Sequence, residues 1–340
     1  MNHRLFSLFA AALLTPLFTA CLEEPEPFAN TKEGNFEALW HIVDTRYCYL
    51  DYKQVNWDSV YEVYHPRLDT IHSDVALFDL FASMLNTLKD GHVNLYSSFD
   101  ISRYWKWFLD YPSNFDTELL HTDRYLGEDY RMAGGIDYAL IDGGKVGYLY
   151  YGSFLDEFTD ENIRRIFQTF ASCDGLIVDI RNNGGGSIAL AEKLASYFMQ
   201  EKTLTEYMNH KTGDGHSAFS KPVAVYTSAS IPDMRWEKPV VVLANRHSFS
   251  ATNSFVCRMK LAPNAIIMGD RTGGGGGMPL SNELPNGWMV RFSACPMFDA
   301  NMQHTEWGLD PDVSVMLDST DRANGFDTLI ETAIDWIGAH

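Results

Sequence analysis

The chain has 340 residues, enough for one large core with a smaller attached domain. Apolar residues make up 46% of it and aromatics 14%, ample material to bury, and no internal repeat or long low-complexity tract interrupts them. A formal charge of −19 sets up a field that repels phosphate backbones and anionic lipid heads, which argues against nucleic acid as a partner.

Residues 1–20 have a basic start (His3, Arg4), then an apolar stretch broken by Pro16, then small residues. That composition reads as a secretory signal, too short and wrongly flanked for a permanent transmembrane helix. The ending Phe18-Thr19-Ala20-Cys21 resembles a bacterial lipoprotein box, which implies cleavage before Cys21 and diacylation of its sulfur. The expected location is then the cell envelope, as an outer-membrane lipoprotein facing periplasm or cell surface and held to the membrane by lipid alone. Residues 21–33, rich in Pro and Glu, form a solvated tether. The other cysteines, Cys48, Cys173, Cys257 and Cys295, are scattered without any C-x-x-C pair, so neither metal ligation nor a disulfide connectivity follows from them.

Residues 34–100 read as a small N-terminal helical domain. Phe36, Leu39, Trp40, Val43 and Tyr47 mark one apolar face, and Val75, Leu80, Phe81, Met84, Leu85 and Leu88 another. Ser73 is placed to cap the second helix, and Gly91 stands where a left-handed C-terminal residue would be wanted. His92 follows at once, opening the extended run HVNLYS. Taken alone, a histidine there could simply interact with helix carbonyls. Residues 101–144 form an aromatic, irregular linker, expected chiefly to pack over a core edge.

From 145 onward strands and helices alternate: KVGYLYYGSF, DEFTDENIRRIFQTFAS, GLIVDIR, SIALAEKLASYF, PVVVLAN, a helix after Ser250, and AIIMGD. The alternation predicts an α/β domain over 101–340 with helices covering a sheet.

Two strand-to-helix corners could carry chemistry. In GLIVDIRNNGGGSIALAEKL, Gly184, Gly186 and Ala189 formally fit a dinucleotide fingerprint, but Arg181-Asn182-Asn183 separates strand from glycines and no buried second strand follows. The same glycines can instead turn backbone N–H groups toward a pocket at a helix N-terminus, where an oxyanion would be held. At the second corner, Ser248-Phe249-Ser250-Ala251-Thr252, the N–H of Ala251 could donate to that same oxygen. The G-x-S-x-G elbow is absent, and a serine at a helix start is commonly just a cap.

DIRNNGGG, then NRHSFSA, MGDRTGG and Gly308-Leu309-Asp310-Pro311-Asp312, preceded by LKDGHVNL, together resemble the tail-specific (C-terminal processing) serine peptidases over about residues 34–338. The resemblance implies a crotonase-like (ClpP-type) core of ββα units and a secreted serine endopeptidase acting on peptides or proteins without a cofactor or metal. It implies Ser250 as nucleophile and the backbone N–H groups of Ala251 and of Gly185 or Gly186 as oxyanion hole. The processing branch carries a lysine base where this chain has Gly275, 25 residues beyond Ser250. His92 in DGHV matches instead the histidine base of the tricorn-like branch, and imidazole accepts a proton near neutral pH. That branch orients its histidine through a preceding serine, replaced here by Gly91, and a distant glutamate, for which Glu306 is the candidate; His304 and Asp310 lie close by in sequence.

His247 is the other candidate base, and Lys260 has no motif support. The run 273–277 reads first as a mobile glycine loop and second as a cleft edge to which a peptide could add. About fifty residues separate LKDGHVNL from KVGYLYY, too few for a PDZ module of roughly a hundred. A different class remains, a degenerate surface lipoprotein that binds peptides or glycans through Tyr104, Trp105, Trp107, Phe108 and Tyr111. The distance between the Ser250 hydroxyl and the His92 ring separates the two.

Overall fold

The computed structural model describes residues 28–340. The predicted signal, Cys21 and most of the tether lie outside the described residues.

GLIVD at Gly175–Asp179 and VVVLA at Val240–Ala244 are buried at every position. Strands of that kind need cover on both faces, which a parallel sheet between helices supplies. They lie side by side in a seven-stranded sheet of order Val313–Ser314, Ala265–Gly269, Val240–Ala244, Gly175–Asp179, Val146–Tyr150, Ile136–Ile141, Arg131–Ala133. The first five run parallel and the last two join antiparallel. Helices Asp160–Thr169, Ile188–Ser196 and Ala251–Met259 bury one face through residues such as Ile163, Leu194 and Phe255. The C-terminal helix Thr328–Gly338 covers the other through Leu329, Ile330, Ala333 and Ile337. This is the α/β core expected from the alternation.

The early helices Lys32–Arg46, Trp57–Tyr64 and Asp74–Leu85 have their own core, in which Phe36, Leu39, Phe81 and Met84 meet Val290 and Phe292 of the long strand Met289–Asp299. Ser73 caps the third helix as expected, its Oγ accepting from Ala76 N–H at 3.2 Å. Helix Asp74–Leu85 runs on through a 3₁₀ turn, Asn86–Leu88, and the left-handed residue after it is Lys89 (φ 48°, ψ 49°), not Gly91. Gly91 answers to space instead. A Cβ there would meet Trp107 Nε1 at 2.6 Å and Phe249 Cζ at 2.8 Å.

Beyond His92, strand Asn94–Tyr96 pairs antiparallel with Met289–Arg291 in a second sheet, in which Gly277–Glu283 and Thr203–Met208 also pair with the long strand. This pairing ties the end of the helical region to a late strand. It thereby brings His92 to the corner that carries Ser250.

Candidate active site

Ser250 has φ 60° and ψ −120°, the first corner of a type II′ turn that closes with Thr252 N–H donating to the Phe249 carbonyl at 3.1 Å. Glycine favours that position, so a serine held there stores on the order of 1–3 kcal/mol of backbone strain. Two bonds impose it: Ser250 N–H donates to Gly274 O at 2.9 Å and Phe249 N–H to Asn183 O at 3.1 Å. The hydroxyl makes no capping bond to its helix. It meets His92 Nε2 instead, at 2.8 Å.

The glycine turn is fastened to this corner by asparagines. Asn182 N–H donates to Asn245 Oδ1 at 3.0 Å, Asn245 Nδ2 to Asn182 Oδ1 at 2.8 Å, and Thr252 Oγ1 to Asn183 Oδ1 at 2.7 Å. Gly185 then lies so close that a Cβ would fall 2.8 Å from Ser250 Cβ and 3.0 Å from Ala251 N. Its own amide is already committed, donating to Asn183 Oδ1 at 3.0 Å. Gly185 is therefore corrected from donor to spacer. The N–H groups of Gly186 and Ala251 donate to no acceptor among the described residues, and Gly186 lines the cleft beside Ser250.

His92 is 3% exposed and packs its ring on Phe249, centroids 4.8 Å apart. Burial pushes its pKa down to about 4, with the positive charges of Arg291 and Lys53 adding to the fall and Asp90 opposing it. The imidazole is therefore neutral across the neutral range. Its Nδ1 has no hydrogen-bond partner of good geometry, although the Gly277 carbonyl nearby also acts against the fall.

Asp90 fixes the backbone of His92 rather than its ring, accepting from His92 N–H at 2.8 Å. The same carboxylate takes Tyr47 OH at 2.8 Å, Ser293 Oγ at 3.0 Å and Lys53 Nζ at 3.3 Å. Glu306 is buried here, its Oε1 2.5 Å from Lys53 Nζ and its Oε2 without a partner. It makes no hydrogen bond to His92 or Ser250, so this candidate glutamate does not orient the imidazole by direct contact; its partner is Lys53. Burial first and Asp90 second push Glu306 up to about 8, against the pull of Lys53. Burial alone would lower Lys53, but the two carboxylates raise it.

The other candidates fall elsewhere. His247 lines the cleft and packs on Phe108 without reaching Ser250, and Lys260 is bound to Asp312 Oδ1 at 2.5 Å. His304 stacks on Tyr52 at 3.9 Å, and Asp310 pairs with Arg271. Nor is 273–277 a loose loop. A Cβ on Gly274 would lie 1.9 Å from Glu306 O and one on Gly277 2.4 Å from Ser293 Cβ, so the glycines are there for close packing. Trp107 stacks on Phe249 at 4.1 Å and fills the space beside Gly91. Lys53, Asp90, Asn183 and Asn245 are not singled out by the sequence, and Trp107 stands there only among the aromatics of a binding surface. Asp90 and the two asparagines stand inside the quoted motifs, which was their only signal.

A cleft of about 630 Å³ opens over Ser250, lined also by His92, Trp107, Gly184–Gly186 and Arg291. Comparison with known proteins gives the family. Residues 145–315 match the model of peptidase family S41, and residues 28–86 that of the tricorn protease C1 domain. This chain belongs to peptidase family S41. A crystal structure described as a "putative peptidase" from Parabacteroides merdae ATCC 43184 is 50% identical, with TM-score 0.85 over 90% of this chain and 96% of that one. The carboxyl-terminal-processing protease of Picosynechococcus sp. PCC 7002 is 26% identical over 148 residues, 43% of this chain and 33% of that protein. Mature CPAF complexed with lactacystin shares the fold, at 13% identity and TM-score 0.65 over 90% of this chain and 97% of that one. The chain matches only about a fifth to a third of the length of the first curated relatives.

Proposed function

We infer that this S41 member is a serine endopeptidase working through a Ser250–His92 pair. The observation that carries the reading is the 2.8 Å contact between His92 Nε2 and a strained hydroxyl that caps nothing. For Ser250 to donate, the ring proton sits on Nδ1 and Nε2 is the acceptor. Ser250 Oγ attacks the peptide carbonyl as its proton passes to Nε2. The oxyanion forms against the N–H groups of Ala251 and Gly186. The imidazolium, which burial makes acidic, then protonates the leaving amine; water repeats the sequence on the acyl-enzyme and frees the serine. Asp90, Lys53 and Glu306 act through the backbone at 90–92 as positioning residues.

Hydrolysis of a casein digest pool tests this. Ser250→Ala and His92→Ala are expected to lose at least about 10³-fold of the activity, since members of one nucleophile–base unit fail together. A His92→Ala variant that keeps most of it would remove the histidine from the mechanism.

The same reading includes anchoring through diacylated Cys21 in the cell envelope, supported by the lipoprotein-like FTAC ending. Among the described residues no helix is long and apolar enough to cross a membrane. Metabolic labelling with a clickable palmitate should mark the wild type and not Cys21→Ala. Equal labelling of both would end the anchor.

A further inference from the structure

The protein carries 45 acidic residues against 26 Lys and Arg. The cleft over Ser250 reverses that balance. Among its lining residues no Asp or Glu occurs, and its charged side chains are Arg103 and Arg291. An all-cationic cleft in a strongly acidic molecule concentrates positive potential where substrate must lie.

The strands explain how Arg291 comes to face it. His92, Asn94 and Tyr96 alternate toward the cleft while Val93 and Leu95 are buried in the core. Arg291 pairs directly with Asn94, and its neighbours Val290 and Phe292 point into that same core. Arg291 therefore stands one strand over and one alternation along from the catalytic imidazole, on the same face. Elsewhere the buried guanidinium groups of Arg181 and Arg258 are paired with carboxylates. The half-buried Arg291 side chain has no ion pair and no hydrogen bond to the described residues, and none of its guanidinium nitrogens is sealed from solvent. A planar five-donor fork left open beside the nucleophile is matched to a carboxylate.

We propose that Arg291, supported by Arg103, is a specificity residue that binds a carboxylate of the peptide substrate close to the scissile bond. The carboxylate is either an acidic side chain or a free C-terminus. The inference rests on the peptidase reading above and names the substrate class of that same site.

The test uses positional pools of internally quenched octapeptides, with Glu against Gln at each position and a free or amidated C-terminus. Wild type should show one position, or the free terminus, at which the carboxylate raises kcat/KM by about 10- to 100-fold, the range for a charge-assisted bond. Arg291→Gln should erase that preference, Arg291→Lys should keep part of it, and Arg165→Gln, an equal charge loss on the solvent face of helix Asp160–Thr169, should leave it intact. Selectivity at a side-chain position with the terminus amidated assigns an acidic residue, and selectivity for the free acid alone assigns the terminus. Equal turnover of Glu and Gln and of acid and amide peptides by wild type overturns the inference, as does an Arg291→Gln variant that loses both classes alike. If no pool is cleaved, the peptidase reading fails. The carboxylate site is then judged by anisotropy of the same Glu and Gln pools, fluorescein-labelled, on Ser250→Ala. Equal binding overturns it.

Discussion

Two buried clusters in this molecule have the same formal make-up, one cation between two carboxylates, yet they behave differently. Under the ends of the large sheet, Arg181 divides its fork between Asp179 (2.6 and 3.0 Å) and Asp327 (2.9 and 3.1 Å). Tyr148 OH also serves Asp179, and Asp327 caps the last helix. Behind His92, Lys53 is a compact charge that reaches Glu306 closely and Asp90 at 3.3 Å, leaving Glu306 Oε2 unpartnered. A planar fork can satisfy two carboxylates at once, whereas an ammonium compensates one well. The first cluster is accordingly a fixed joint. The second has a carboxyl that holds its proton to about pH 8 close behind His92.

Breaking the fixed joint should cost most. Arg181→Met strands two fully buried carboxylates, and a loss of about 3–5 kcal/mol in denaturant unfolding is expected. Lys53→Met should cost less, about 1–3 kcal/mol near pH 6, because Glu306 can stay protonated; its deficit should widen toward pH 9, where wild type pairs an ionised Glu306 with the ammonium and the variant has none to offer. A pH-independent deficit equal to that of Arg181→Met would erase the distinction between the clusters.

Gly91→Ser puts back the serine that the tricorn-like pattern has before its histidine. Because its Cβ would collide with Trp107 and Phe249, we expect about a tenfold loss of kcat, with partial recovery in Gly91→Ser/Trp107→Ala. Glu306→Gln is the mildest change, within about 1 kcal/mol at neutral pH. Its sign with pH is fixed by the raised carboxyl. In wild type the contribution of Glu306 is full below about pH 4.5 and lost as pH rises through about 8, so the gap to the variant should close or invert over that window.

What could be read from the sequence was what sits on one element. Ser250 and the glycine turn follow apolar strands whose ends fix their place, and the buried runs GLIVD and VVVLA announce the sheet. Partnerships across the chain were not legible. Lys53 meets Glu306 over 253 residues of separation, and nothing local to either marks the other. Glycine was the least readable residue. At Gly91 and along 273–277 it signals close contact with Trp107, Ser293 and Glu306, whereas the chain pattern suggested a left-handed turn and a loose loop. The engagement of the Gly185 amide is not legible in the sequence, because its acceptor, Asn183, is a side chain two residues away whose rotamer no pattern specifies.

In the Ser250–His92 mechanism a buried, neutral His92 takes the proton of Ser250. The most direct test of this transfer is the rate at which a fluorophosphonate probe modifies Ser250 as a function of pH, read by intact mass and peptide mapping. The rate should stay flat from pH 8 down to about 5 and reach half its plateau near pH 4, where the buried imidazole charges, with His92→Ala slower by at least about a hundredfold across the plateau. A midpoint at the ordinary imidazole value near 6.5, or a His92→Ala variant that labels at the wild-type rate, would contradict it.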